Sequence, residues 1–80
     1  MPEATGDVRA LLEMIAKALV DKPEDVFVEQ LDGDVIEIEV AEDEVGKIIG
    51  RQGRTARALR ALVAAAGVRT HKRYTLEIVD

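Results

Sequence analysis

The amino-acid sequence predicts a small α+β domain with six elements in the order α-β-β-α-α-β. Residues 7–20 and 53–66 repeat apolar side chains at the spacing of an amphipathic helix. Residues 35–40 and 73–79 instead alternate apolar and polar side chains, as half-buried strands do. Eighty residues without an internal repeat indicate one domain.

A helix and two antiparallel strands are predicted in the first half of the chain. We expect residues 1–6 to be flexible and the folded core to span about 7–79, with Asp7 as the helix N-cap. The buried face of this first helix is expected to carry Val8, Leu11, Leu12, Ile15 and Leu19. Asp32-Gly33 favours the positive φ angles of a tight turn, so the strands at 26–31 and 35–40 should form a hairpin.

Two helices separated by a glycine turn are predicted next. The first, at about 42–49, begins with three carboxylates, which favour the positive end of a helix, and Gly50 ends it. Arg51 and Gln52 form the turn, Gly53 opens the second helix, and Gly67 is expected to end it. Its core face is expected to carry Thr55, Leu59, Leu62, Val63 and Ala66, opposite Arg54, Arg57 and Arg60. A basic loop at 68–72 and a strand with Tyr74, Leu76 and Ile78 facing inward follow.

Charge is divided unevenly along the chain. Residues 1–45 carry 3 basic and 14 acidic side chains, whereas residues 46–80 carry 8 basic and 2 acidic ones, for a net charge of −5. Because charges are screened beyond about 8 Å at physiological salt, a ligand at the second half would experience mainly positive charge. The net charge therefore does not argue against an anionic partner.

Several functional classes do not fit the sequence. The chain has no cysteine, no signal-peptide pattern and no apolar run of membrane-spanning length, so we expect a cytoplasmic protein without disulfides or thiolate metal sites. It has no Ser or Asn, and no Thr stands beside a recognisable base. We therefore predict no enzyme, no cofactor and no metal site, and we interpret the acidic groups at Asp32 and Asp34 and at 42–44 as a turn and a helix start.

The glycine turn has the features of an anion-binding loop. Neither Gly50 nor Gly53 carries a β-carbon that would keep a ligand away from the backbone. The helix start at Gly53 offers unpaired N–H groups, and Lys47, Arg51 and Arg54 add cations. A phosphodiester is the anion that this arrangement suits. The alternatives are that the two glycines only make a tight turn and that Arg54, Arg57 and Arg60 form a solvated helix face.

The turn resembles the Ile-Gly-x-x-Gly loop that joins two helices in KH domains, here Ile49-Gly50-Arg51-Gln52-Gly53. The element order is similar to that of type II, the prokaryotic form, and the resemblance covers the whole chain. It implies a three-stranded sheet with three helices packed on one face. It also implies binding of single-stranded RNA, with the loop clamping the backbone of about four nucleotides.

Particular residues are assigned to RNA by this resemblance. Gly50 and Gly53 would pack against sugar-phosphate with Arg51 and Gln52 projecting towards it, and part of the second strand would flank the bases. The RNA-binding residues are predicted to be Lys47, Ile48, Ile49, Gly50, Arg51, Gln52, Gly53, Arg54 and Arg57. Because Glu37 and Glu39 would repel RNA, we expect Ile36, Ile38 or Val40 nearer the groove or the core.

Two functions follow as alternatives. With only Phe27 and Tyr74 as aromatic residues for base stacking, RNA binding should have low sequence specificity, as in a post-transcriptional regulator or an RNA chaperone. The other function is a protein-interaction module, since the second core helix is rich in alanine: Ala56, Ala58, Ala61, Ala64, Ala65 and Ala66. The resemblance also implies a homodimer and pairing with a larger KH-containing partner of the KhpB/Jag type.

Overall fold

A computed structural model describes residues 8–79, and its elements follow the predicted order. The helices are α1 (Val8–Leu19), α2 (Val45–Ile49) and α3 (Arg54–Thr70), and the strands are β1 (Phe27–Leu31), β2 (Val35–Glu39) and β3 (Thr75–Val79). Short 3₁₀ turns lie at Pro23–Asp25, Glu42–Glu44 and Arg51–Gly53. The predicted N-cap Asp7 and the predicted flexible start lie outside the described residues.

The sheet is mixed, with β2 in the centre. The strand order is β1-β2-β3, in which β1 and β2 are antiparallel and β2 and β3 are parallel. The predicted hairpin is confirmed, but Leu31 pairs with Val35, and the positive φ angles fall on Gly33 (76°) and Asp34 (60°). The turn is therefore one residue longer than the Asp32-Gly33 pair predicts.

All three helices pack on one face of the sheet. The strands contribute Val28, Ile36, Ile38 and Leu76 to a single core cluster, and the helices contribute Leu12, Ile48 and Val63. The side chains that alternate with these point away from the helices. The predicted α+β architecture of a type II KH domain is thus confirmed, and Ile36 and Ile38 lie in the core as expected.

The buried faces of the two long helices are rotated from those predicted. In α3, Leu62 is 38% exposed while Ala56 is only 2% exposed, and in α1 Leu19 is 39% exposed while Ala16 is 1% exposed. Small side chains let each helix approach its neighbours closely, so alanine occupies positions that hydropathy assigned to leucine. The predictions for Leu19 and Leu62 were wrong for this reason.

The prediction that Gly67 ends the second core helix was also wrong. The α3 helix continues to Thr70, and His71 terminates it in the left-handed conformation with φ 57°. Gly67 is buried, and a β-carbon there would overlap the Lys72 carbonyl oxygen and lie 3.2 Å from Tyr74 Cδ2. The glycine is therefore explained by the close return of the chain, and residues 68–70 are helical instead of forming a loop.

Candidate nucleic-acid interface

Residues 50–53 form a tight, ordered connection between α2 and α3. The Gly50 N–H donates to the Gly46 carbonyl at 2.8 Å, and the Gly53 N–H donates to the Gly50 carbonyl at 3.1 Å. The turn predicted at Arg51 and Gln52 is a single 3₁₀ turn with both side chains exposed. The backbone of the loop is thus fixed by its own hydrogen bonds before any ligand arrives.

The two glycines serve different physical purposes. Gly50 has φ 77°, and a β-carbon there would lie 2.7 Å from Thr55 Cβ and 2.9 Å from the Thr55 nitrogen. Gly53 has φ 75°, but its nearest neighbour would be Arg57 Nη1 at 3.5 Å. Gly50 is therefore required for space and for backbone angle, and Gly53 for angle alone.

Arg54 and Arg57 hold the loop from the first turns of α3. Gln52 adopts a left-handed conformation, φ 58° and ψ 23°, which is unfavourable for a residue with a β-carbon. Arg57 Nη1 donates to the Gln52 carbonyl at 3.0 Å, and Arg54 Nη2 donates to Gln52 Oε1 at 3.1 Å. Helical periodicity gives no sign of these contacts because Gln52 lies outside the helix.

The surface around the loop carries uncompensated positive charge. Arg51, Arg54, Arg57 and Arg60 are exposed, and none forms an ion pair with any residue from 8 to 79. No side chain of that region caps the N-terminus of α3. Guanidinium groups and the partial positive charge of the helix end thus converge on one exposed loop, an arrangement that favours a phosphate ligand.

Lys47 is engaged away from the loop. Its Nζ contacts a carboxylate oxygen of Asp21 and lies 2.9 Å from Glu44 Oε2. Hydrogen bonds to Asp21, and then to Glu44, raise the pKa of the Lys47 ammonium. The assignment of Lys47 to the RNA-binding residues therefore remains a prediction. Its ammonium group already has two acidic partners within the protein.

Glu44 is the residue that sequence reasoning missed. Its carboxylate is 3% exposed and accepts hydrogen bonds from the backbone N–H groups of Asp21 and, at 2.9 Å, Lys22. The Asp21 hydrogen bond is the main cause that lowers the pKa of the Glu44 carboxyl. Glu44 lies directly before α2, as expected of the three carboxylates at 42–44, but it makes no side-chain cap there and instead binds the backbone that follows α1.

The structure separates the two isoleucines of the predicted RNA-binding set, Ile48 and Ile49, and shows how the strands lie relative to the helices beside the loop. Ile48 is fully buried in the core, whereas Ile49 is half-buried and can still line a groove. The second strand, β2, is paired along both edges, so its backbone is not free to flank a ligand. Both helices that flank the loop, α2 and α3, contact β3, which is an edge strand of the sheet.

Metal and membrane sites are not found in the part of the chain that the structure describes. No three His, Asp or Glu side chains between residues 8 and 79 are grouped to hold a metal ion. Over the same range, none of the helices has the length and apolar character needed to cross a membrane.

Comparisons with known proteins identify the family. The family model for the KH domain of KhpA and KhpB matches residues 9–78. The chain is 44% identical to "RNA-binding protein KhpA" of Clostridium perfringens over 90% of its own length and all of that protein. It is 47% identical to the protein of the same name from Halalkalibacterium halodurans, over 91% of this chain and all of that protein.

A further relative of that name, from Borreliella burgdorferi, is 44% identical over 94% of this chain and 95% of its own length. No solved structure matches the chain. The family model covers nearly all of the described residues, including the loop at 50–53 and the helices on either side of it. The chain belongs to the KhpA/KhpB family of KH domains.

Proposed function

We propose that this protein binds single-stranded RNA through the loop at residues 50–53, with low sequence specificity. The observation that carries the proposal is a preformed glycine loop at an uncapped helix N-terminus, surrounded by arginines without acidic partners. The relatives named RNA-binding proteins support the choice of RNA as the anion. Family membership also confirms that the chain is not an enzyme.

The proposed contacts divide between backbone and bases. Arg51 and the loop amides would hold phosphates, while Ile49 and the free edge of β3 would border the bases. Phe27 lies on the far side of the sheet and Tyr74 packs against the core, so neither aromatic ring stands at the loop. Recognition would then depend on the RNA backbone, as suits an RNA chaperone or a post-transcriptional regulator acting in the cytoplasm.

The test is binding of a fluorescein-labelled, single-stranded RNA of mixed sequence, measured by fluorescence anisotropy. The double variant Arg51→Asp with Gln52→Asp removes the exposed loop groups, and aspartate tolerates the left-handed conformation of residue 52. We expect affinity to fall at least about tenfold. The matched control is Lys17→Asp with Ala18→Asp on α1, which changes the net charge equally at two exposed positions.

Similar affinities for the two double variants would contradict the proposal, because net charge alone would then explain the binding. Circular dichroism of each variant shows whether the fold is retained. A variant that is folded yet no longer binds places the site at the loop.

A second proposal is association through α3. The exposed side of this helix carries small side chains together with Leu62, 38% exposed, and Val68, 74% exposed. Ala56 and Ala66 belong to the core side, so the small residues left for a partner are Ala58, Ala61, Ala64 and Ala65. This surface would serve homodimerisation and pairing with a larger KH-containing protein of the KhpB/Jag type.

Sedimentation velocity tests the association. Leu62→Glu should convert a dimer to a monomer, since it places a charge among alanines, whereas Met14→Glu at a 63% exposed position on α1 should not. A wild-type protein that is monomeric at high micromolar concentration would contradict homodimerisation. The same two variants, mixed with the KhpB/Jag-type protein, test the heteromeric pairing.

A further inference from the structure

The face of the sheet turned away from the helices carries a row of three glutamates. Glu29 of β1 pairs with Glu37 of β2, and Glu37 pairs with Glu77 of β3. Like charges directly opposite each other destabilise a sheet. No Lys or Arg occupies any strand position on this face, and none of the three glutamates forms an ion pair with the residues described. The folded domain thus gains no stability from this row.

Apolar side chains flank the row of glutamates on both sides, two residues away along the strands. On one side, Phe27 of β1 is 58% exposed and pairs with Glu39 of β2, which in turn pairs with Val79 of β3. On the other side of the glutamate row, Leu31 is 42% exposed and pairs with the half-buried Val35. We call these nine strand positions, three from each strand, the outer sheet face.

A cavity of about 500 Å³ extends the Phe27 end of the outer sheet face. Its lining includes the apolar residues Phe27, Val45 and Val79 and the acidic residues Asp25, Glu39 and Glu42. None of these carboxylates makes a side-chain hydrogen bond or an ion pair within residues 8–79. The lining of the cavity therefore combines apolar side chains with carboxylates and contains no basic residue.

We propose that the outer sheet face binds a basic amphipathic helix of a partner protein. Three strands about 4.8 Å apart span about 10 Å, which is the diameter of one helix. Phe27 and Leu31 are four residues apart on β1, or about 13 Å, which is close to the distance of about 10 to 12 Å between helix positions seven or eight residues apart. Arginine or lysine midway between two such anchors would lie over Glu29, Glu37 and Glu77.

Charge and pattern select this occupant. RNA is repelled by a face on which every charged side chain is acidic. The α3 helix of a second copy lacks this pattern, because no cation lies between its exposed large apolar side chains, Leu62 and Val68. A partner helix with central cations and an apolar residue on either side of them would match both the row of glutamates and the apolar side chains that flank it.

The experiment uses a synthetic alanine-based helical peptide with two leucines seven positions apart and two arginines midway between them. Titration of the isotope-labelled full chain with this peptide should shift the NMR signals of β1, β2 and β3 and leave those of residues 50–53 unchanged. Glu37→Lys should weaken binding at least about tenfold. The control Glu24→Lys changes an exposed glutamate outside the sheet and should have little effect.

The apolar anchors are tested separately. Phe27→Ala should also weaken binding, whereas Met14→Ala, at another exposed apolar position, should not. A peptide of the same composition in which the arginines flank the leucines should bind more weakly than the first peptide.

The proposal would be overturned by no binding at millimolar peptide, by equal binding of the two peptides, by equal losses in Glu37→Lys and Glu24→Lys, or by shifts centred on residues 50–53. It is also overturned if RNA shifts the signals of the outer sheet face, or if Glu37→Lys changes the oligomeric state, since either result assigns this face to another occupant. Loss of RNA binding in loop variants has no bearing on the outcome.

Discussion

Thr55 stands so close to Gly50 that a β-carbon on the glycine would lie 2.9 Å from the Thr55 nitrogen. This close approach of Gly50 and Thr55 holds the end of α2 against the first turn of α3, and a side chain at residue 50 would force the two helices apart. The geometry of the loop is therefore set as much by the residue that follows it as by the glycines within it.

Gly50→Ala should destabilise the fold by about 2 kcal/mol or more, because it combines a left-handed φ with this overlap. Urea unfolding followed by circular dichroism measures the change. Gly46→Ala is the matched control, since Gly46 lies within α2 and has no atom within 4 Å of the added carbon. That variant should be neutral or up to about 1 kcal/mol more stable. Equal effects at the two positions would contradict the role assigned to Thr55.

Gly67→Ala should also destabilise, although alanine is the better helix former. The added carbon would overlap the Lys72 carbonyl, and we expect a loss of about 1 to 3 kcal/mol. The same unfolding measurement applies, again beside Gly46→Ala. If Gly67→Ala were more stable than the wild type, then the chain would not return as closely to α3 as described.

Glu44→Gln should reduce stability most at neutral pH. The folded protein holds the pKa of Glu44 below its unfolded value of about 4.3, so its stabilisation is complete above that value and is lost as pH falls through the folded pKa. Denaturant unfolding between pH 7 and pH 3 should therefore show the wild type and the variant converging in acid. Glu42→Gln, at an exposed neighbouring carboxylate, is the control. A gap between wild type and Glu44→Gln that stayed constant with pH would exclude this linkage.

Arg51 and Arg57 should differ in the salt dependence of RNA binding. Arg51→Gln removes a proposed phosphate contact, so the slope of log affinity against log salt should become shallower by about 0.7. Arg57→Lys keeps the charge but weakens the hold on the Gln52 carbonyl, so we expect about threefold lower affinity with an unchanged slope. Anisotropy titrations at several salt concentrations give both quantities, with Arg60→Lys as the control. An unchanged affinity for Arg57→Lys would show that the loop needs no support from α3.

The sequence was sufficient to predict features that depend on residues close together in the chain. Alternation identified β2 and β3, Asp32-Gly33 identified the hairpin, and the glycine turn could be identified as the candidate site because its features are contiguous. The order of elements and the family then agreed with one another.

Features that depend on contacts between distant parts of the chain were not predicted. Glu44 accepts hydrogen bonds from residues 22 and 23 positions earlier in the chain, and no local pattern marks such a pairing. Gly67 has the sequence pattern of a helix terminator, because the residues that require it to be glycine, Lys72 and Tyr74, contact it only after the chain reverses. The rotation of α1 and α3 had the same origin, since tight packing in three dimensions favours Ala16 and Ala56 over leucine.

The parallel pairing of β2 with β3 also governs when the loop can form during synthesis. Residues 50–53 lie in the crossover between these two strands, and the core beneath α3 includes Leu76 of β3. On the ribosome, the β1–β2 hairpin can pair early, but α2 and α3 have no completed sheet edge to pack on until β3 has emerged. In a nascent chain, residues 50–53 can therefore leave the exit tunnel before they adopt their final shape, which they reach only after β3 has also emerged.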